Sequence, residues 1–134
     1  DIFSAEKDLR KILSIKPMNT NALNALGYIL ADKTTRFSEA LVLIGQALKQ
    51  EPNSPAILDS MGWVLLKLGK LNEAIPFFER AWTMAKDHEI AAHYGEALWL
   101  VGKKKEAQKI WDAGISFNNN SIIIQSTIKR LTNL

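Results

Sequence analysis

The sequence predicts an all-α protein, a solenoid of helical hairpins stacked one behind another and closed by a C-terminal capping helix. Three observations carry that expectation. Small residues recur at a nearly fixed interval: Gly62, Gly69, Ala74 and Ala81 have counterparts 33 residues later at Gly95, Gly102, Ala107 and Gly114, and Phe78 has one at Trp111. Upstream, Gly27 lies 35 residues before Gly62, Ala40 and Ala47 lie 34 before Ala74 and Ala81, and Pro17 and Pro52 are 35 apart. Apolar residues otherwise repeat at helical spacing, with no convincing period of two. Self-similarity at about 34 residues marks a helix–turn–helix solenoid, and the change of offset places one extra residue in the connection around "ADKTTRF".

The elements follow in order. A first helix runs from about Phe3 to Ile15, with Ala5, Leu9 and Ile12 on one face, and stops before Pro17. It corresponds to the second helix of a truncated repeat (residues 1–17), so further repeats are expected upstream. Repeats of two helices then span 18–53, 54–86 and 87–119. Ser54 with Pro55 reads as an N-cap followed by proline at the first helical position. Ser38 and Asn72 are candidate caps of the second helices, Gly69 and Gly102 fit the intervening turns, and Pro76 is expected within the first turn of its helix. Residues 120–134 form the cap: Ser121 starts a helix with Ile124, Ile128 and Leu131 on one face. The run Ile122, Ile123, Ile124 cannot all point one way, since helical residues advance by about 100° each.

A glycine inside a helix costs about 1 kcal/mol relative to alanine, so Gly27, Gly62 and Gly95 need a packing reason. The expectation is that each faces a small residue of the second helix, Ala40, Ala74 and Ala107, where two backbones approach closely.

Composition sets the outer bounds. At 134 residues, 47% hydrophobic and 23% charged, the chain is one domain able to build a core. It contains no apolar run long enough to span a membrane. It begins at Asp1 rather than Met, shows no signal peptide and reads as an excised piece of a longer protein. It has no cysteine, hence no disulfide or thiolate metal site. The net charge of +3 divides unevenly: residues 1–50 carry 7 basic and 5 acidic side chains, 51–100 carry 4 and 7, and 101–134 carry 6 and 2. The basic end, from "GKKKEAQK" and "IKR", is read as a solvated surface ahead of a dock for an acidic partner.

The stretches "LNALGYIL", "LDSMGWVL" and "AHYGEAL", followed by Ala74, Phe78, Ala81 and by Ala107, Trp111, Gly114, closely resemble the tetratricopeptide repeat. The departures are Ile44 for the aromatic of the first unit, and Lys86 and Asn119 for the usual closing proline. The resemblance implies a right-handed superhelix that binds a protein or peptide on its concave face. A narrower resemblance, across "NALGYILADKTTRFSEALVLIGQAL", "PNSPAILDSMGWVLLKLGKLNEA" and "EIAAHYGEALWLVGKKKEA", is to tetratricopeptide lipoproteins of Gram-negative outer membranes. It implies an envelope adaptor for a carboxyl-terminal processing protease or an assembly complex, on the periplasmic side, with the cytoplasm as the alternative compartment.

The first helix of each repeat normally faces the concave side, which singles out Asn21, Asn24 and Tyr28, then Asp59, Trp63, Leu66 and Lys67, then Ala92, Glu96 and Trp99. Amides can bond an extended backbone and exposed aromatics can anchor a partner. The alternative for Trp63 and Trp99 is that they pack between repeats as core. Some relatives hold a C-terminal carboxylate with basic residues and asparagine, but the matching positions Asn24, Tyr28, Ser60, Glu89 and His93 include no basic pair. His88 and His93, on different helical faces with no clustered carboxylate, make a poor metal site. Asp59 and Ser60 have no third partner at suitable spacing, and no phosphate-cradling loop is present. No cofactor and no catalysis are expected. The other readings are a self-associating assembly subunit and, behind it, a nucleic-acid-associated module.

Overall fold

The computed structural model describes residues 1–133 and contains eight helices: α1 (Ile2–Ile15), α2 (Thr20–Lys33), α3 (Phe37–Gln50), α4 (Pro55–Lys67), α5 (Leu71–Met84), α6 (His88–Leu100), α7 (Lys104–Phe117) and α8 (Ile122–Thr132). The last residue of the expected 120–134 capping segment lies outside the described residues. Among the described residues there is no strand, and no helix is long and apolar enough to cross a membrane.

The starts of α2, α4, α6 and α8 recur with the period of the sequence. Asn19, Ser54, Asp87 and Ser121 each accept a hydrogen bond from a backbone amide of the first turn, at Ala22, Ile57, Glu89 with Ile90, and Ile124. These satisfy amides that have no partner inside the helix. The second helices start differently. Arg36, Lys70 and Lys103 precede α3, α5 and α7 and make no side-chain cap. Ser38 and Asn72, expected as caps, lie inside their helices. For Ser38 the connection over residues 34–36 holds no glycine, and the Thr34 hydroxyl oxygen accepts the Arg36 amide one turn earlier; for Asn72 the reason is the tightness of the turn. Gly69 and Gly102 adopt φ of 79° and 91°, a region open to glycine at little cost. The Gly69 and Lys70 amides return to the carbonyls of Leu66 and Leu65, and those of Gly102 and Lys103 to Trp99 and Leu98. The chain thereby re-enters helix at once, with Leu71 at the first position packed against the core. Pro76 is the sixth residue of α5 and so falls in the second turn rather than the first; it is exposed, and the bond it cannot make lies on the outer face.

Three hairpins pair α2 with α3, α4 with α5 and α6 with α7. Along the solenoid α2 packs on α4 and α4 on α6, whereas α3, α5 and α7 do not touch one another. The first helices therefore form the tight inner row and the second helices the splayed outer row, which makes the face lined by α2, α4 and α6 the concave one. α8 packs on α6 and touches α7, occupying the place of the next inner helix.

The core corrects the expected role of the glycines. A β-carbon at Gly27 would lie 2.5 Å from Ile44 Cγ1, and one at Gly62 would lie 2.6 to 2.8 Å from the Phe78 ring. One at Gly95 would collide with the Trp111 indole. Each glycine thus receives first the large residue of the second helix, and at Gly27 the Ala40 carbonyl follows at 3.2 Å, so the expected approach to the small residue holds there behind the bulky one. Ile44, Phe78 and Trp111 are fully buried; the missing side chain is the socket into which the bulk fits.

At the ends, Glu6 and Glu39 alternate with Arg10 and Arg36 in a network that ties α1 to the start of α3. No residue of α1 is fully buried. In α8, Ile124 and Leu131 are buried, Ile123 and Ile128 are half-buried, and Ile122 is 78% exposed, which divides the isoleucine run as helical geometry requires.

Candidate functional site

The inner row opens into a cleft of about 560 Å³ between α2, α4 and α6, lined by Asn24, Tyr28, Asp59, Ser60, Asp87 and Glu89 together with alanines, Pro55 and Ile90. On its floor lies a buried polar cluster. His93 Nδ1 sits 3.0 Å from both carboxylate oxygens of Asp59 and donates to them. Its ring stacks on Trp63 at a centroid distance of 4.0 Å, and its Nε2 lies 3.5 Å from the Tyr28 hydroxyl. The Trp63 indole donates to Asp32 at 3.1 Å, so three inner helices are joined by one network.

Burial works against the charged imidazolium, but the Asp59 carboxylate, helped by Glu89 and Glu96, more than offsets it and holds His93 above its ordinary value. Burial pushes the Asp59 carboxyl up, with the positive His93 opposing. Burial and the carboxylates of Asp32, Glu89 and Asp59 push the Tyr28 phenol up as well, so it remains a hydrogen-bond donor. The side-chain oxygen of Asn24 is buried with no hydrogen-bond partner.

The residues singled out from the sequence are thereby sorted. Asn24, Tyr28 and Asp59 meet in the cleft. Asn21 is exposed on α2, away from it. Trp63 is only 5% exposed and belongs to the core, as do Leu66 and Ala92. Lys67 covers the Trp63 ring from 4.7 Å. Glu96 is buried and held by Arg130 of α8, with bonds of 3.1 and 2.5 Å. Trp99 is half-buried against Trp111, with Lys104 4.8 Å above its ring. His88 reaches Ser121 at 2.7 Å rather than any ligand.

Two expectations about His93 are corrected. Carboxylates do cluster beside it, and Asp59 does have a third partner, because ligand-type atoms of Asp59, Glu89 and His93 lie within 4.8 Å of one another. Glu89 lies four residues before His93 on the same face of α6, a spacing legible in the sequence, whereas Asp59 comes from α4 and no spacing along α6 could reveal it. The signal was the repeat period itself, since Asp59 and His93 are 34 residues apart.

A model of the tetratricopeptide repeat matches residues 56–88, which cover nearly all of α4, the Gly69 turn and α5. The chain is 48% identical over 132 residues to the TPR repeat-containing protein PA4667 of Pseudomonas aeruginosa. Residues 56–88 are a tetratricopeptide repeat, and the chain as a whole is similar to a TPR repeat-containing protein. The match takes in 98% of this TPR domain but only 22% of that relative's length, so the domain corresponds to about a fifth of it. Among solved structures, TTC0263, a thermophilic TPR protein of Thermus thermophilus, superposes with a TM-score of 0.80 at 16% identity, covering 99% of this chain and 74% of that one. YrrB, described as a TPR protein with an unusual peptide-binding site, superposes with a TM-score of 0.66 at 21% identity, covering 98% and 70%. At such identities these likenesses establish the TPR solenoid.

Proposed function

We propose that this TPR domain is a non-catalytic adaptor that holds an extended segment of a protein or peptide in the cleft between α2, α4 and α6. The observation that carries the reading is the cleft itself: a concavity of about 560 Å³ combining small apolar walls with polar side chains, among them the unpaired Asn24 oxygen, which suits a chain that brings both side chains and amides. The fold shared with YrrB, whose description includes a peptide-binding site, supports it. The wider assignment, an adaptor for a processing protease or an assembly complex on the periplasmic side of a bacterial outer membrane, rests on the lipoprotein resemblance of the three repeat stretches.

The test is site-specific photocrosslinking in an envelope extract, with benzoylphenylalanine placed at Ala56 in the cleft or at Thr83 on the outer helix α5. A partner crosslinked from Ala56 and lost on Asn24→Ala with Tyr28→Ala is expected. Crosslinking confined to Thr83 would refute the inner-face reading. Crosslinks only to a second copy of the chain would favour the self-assembling scaffold instead.

A further inference from the structure

We propose that the inner-face cleft selects segments that carry a lysine or arginine side chain, whose charged end seats against Glu89 and Asp87 beside Asn24. The inference rests on the peptide-binding reading above and assigns the chemistry of the ligand.

Three independent features converge. The first is charge. The lining residues include Asp59, Asp87 and Glu89 and no lysine or arginine. Asp59 is answered by His93, and that pair adds little net field. Asp87 and Glu89 form no ion pair among the described residues, where Glu6, Glu39 and Glu96 each have an arginine. Asp87 does accept the Glu89 and Ile90 amides as the cap of α6, but a carboxylate offers about four acceptor sites, so capacity remains for a ligand. With the single His93 cation shared between Asp59 and Glu89, and Asp87 at the rim without a cation, the cleft stays net negative.

The second is hydrogen-bond polarity. Asn24 presents a buried acceptor oxygen with no donor, and Asp87 and Glu89 present further acceptors. A ligand that satisfies them must bring donors, and the ammonium and guanidinium groups bring about three and five with no acceptor to leave unpaired. The third is shape. Ala25, Pro55, Ala56 and Ile90 give the cleft apolar walls, against which the methylene stem of lysine or arginine can lie while its head stays polar. A ligand carboxylate would meet the opposite of each feature.

A bare metal ion fits less well. Among the described residues the cluster offers three candidate ligands within 4.8 Å of one another, where a closed zinc site takes a fourth. His93 Nδ1, moreover, is already committed to Asp59.

Random dodecapeptides displayed on phage are selected on the folded domain and resynthesised with fluorescein, each beside a version with lysine replaced by norleucine and arginine by citrulline. Removing the key cation should raise Kd about tenfold or more on the wild-type domain. It should change Kd little on the Asp87→Asn, Glu89→Gln double variant, in which asparagine keeps the cap of α6. Equal binding of charged and neutral peptides, or an undiminished charge preference in the double variant, overturns the proposal while leaving the groove standing. Failure of the groove reading has a separate signature: selected peptides would bind Ala56→Trp, which fills the cleft from an exposed position, as well as they bind wild type. Tight zinc chloride binding that shifts the His93 resonances and expels the peptides would reassign the cluster to a metal.

Discussion

Of the glycines inside helices, Gly45 in α3 and Gly62 in α4 make the sharpest contrast, because replacing each by alanine moves stability in opposite directions. The intrinsic gain is the same, about 1 kcal/mol, because alanine loses less backbone freedom on entering a helix. At Gly45 a new β-carbon meets no heavy atom within 4 Å. The gain is therefore kept, and it raises Tm by roughly 3–5 °C for a chain of this size. At Gly62 the β-carbon would stand 2.6, 2.7 and 2.8 Å from three atoms of the Phe78 ring. That ring is fully buried at 0% exposure and cannot swing outward. Forcing extra volume into a packed core costs about 1–3 kcal/mol, which cancels or exceeds the helical gain. Gly62→Ala thus falls between neutral and about 2 kcal/mol less stable. Pairing it with Phe78→Leu, which frees the space, gives a favourable coupling of about 1 kcal/mol in a double-mutant cycle. Urea unfolding followed by far-UV circular dichroism and by tryptophan fluorescence reads all four. If Gly62→Ala proves clearly more stable than wild type, or if Gly45→Ala is destabilising, the socket account of the glycines is wrong.

Other consequences concern charge and the end of the solenoid. The neighbouring Asp59 raises the pKa of His93, so the stability it contributes is complete below 6.5 and is lost as pH climbs through the raised value. Titration of the His93 ring protons by NMR should give a midpoint above 6.5, and Asp59→Asn should lower it; no movement would show that the pair does not set the charge. Hydrogen bonds from Arg36 and Arg10 hold Glu6 below the usual carboxylate range, and those from Arg10 and Arg36 hold Glu39 there too. Their contribution is present above pH 4.5 and fades as pH falls through the lowered values. A Glu6→Gln, Glu39→Gln variant should therefore lose less stability on acidification than wild type, and hydrogen exchange in α1 should report it. Ser121→Ala removes the cap of α8, at a cost of about 1 kcal/mol, together with the bond to His88. Faster amide exchange confined to α8 is expected, and an unchanged rate would contradict the anchoring role.

The repeat period made nearly the whole fold legible, because small and large residues at fixed offsets need no knowledge of long-range contacts. What escaped was local or lateral. Ser38 and Asn72 have the chemistry of caps, but the chain is already helical before they arrive, through the connection over residues 34–36 in one case and the Gly69 turn in the other, so side-chain type was outweighed by turn geometry. The glycines were correctly assigned to close packing, but their nearest partners lie one helical turn beyond the alanines, a displacement of four residues that recurs in every unit and so leaves the repeat pattern unchanged. The cleft was half visible. Asn24, Tyr28 and Asp59 follow from helical spacing, whereas Asp87, Glu89 and His93 enter from the next helix in the row. Trp63 looked like a surface anchor by type and became core because His93 stacks on it.

The side chains that bind one repeat to the next find partners about one repeat away: Trp63 to Asp32 across 31 residues, His88 to Ser121 across 33, His93 to Asp59 and Arg130 to Glu96 across 34. Each address is relative to the neighbouring unit rather than fixed in the chain. Removing residues 54–86 would join Asn53 to Asp87, one inner-helix cap replacing another in register, and bring α6 onto α2 with its hairpin intact. An excision that does not run from one inner-helix cap to another would leave the inner-row residues facing strangers. A chain assembled in this way lengthens or shortens its groove only in whole steps, each adding or removing one inner helix and its cap, so the length of segment it can hold changes by discrete increments.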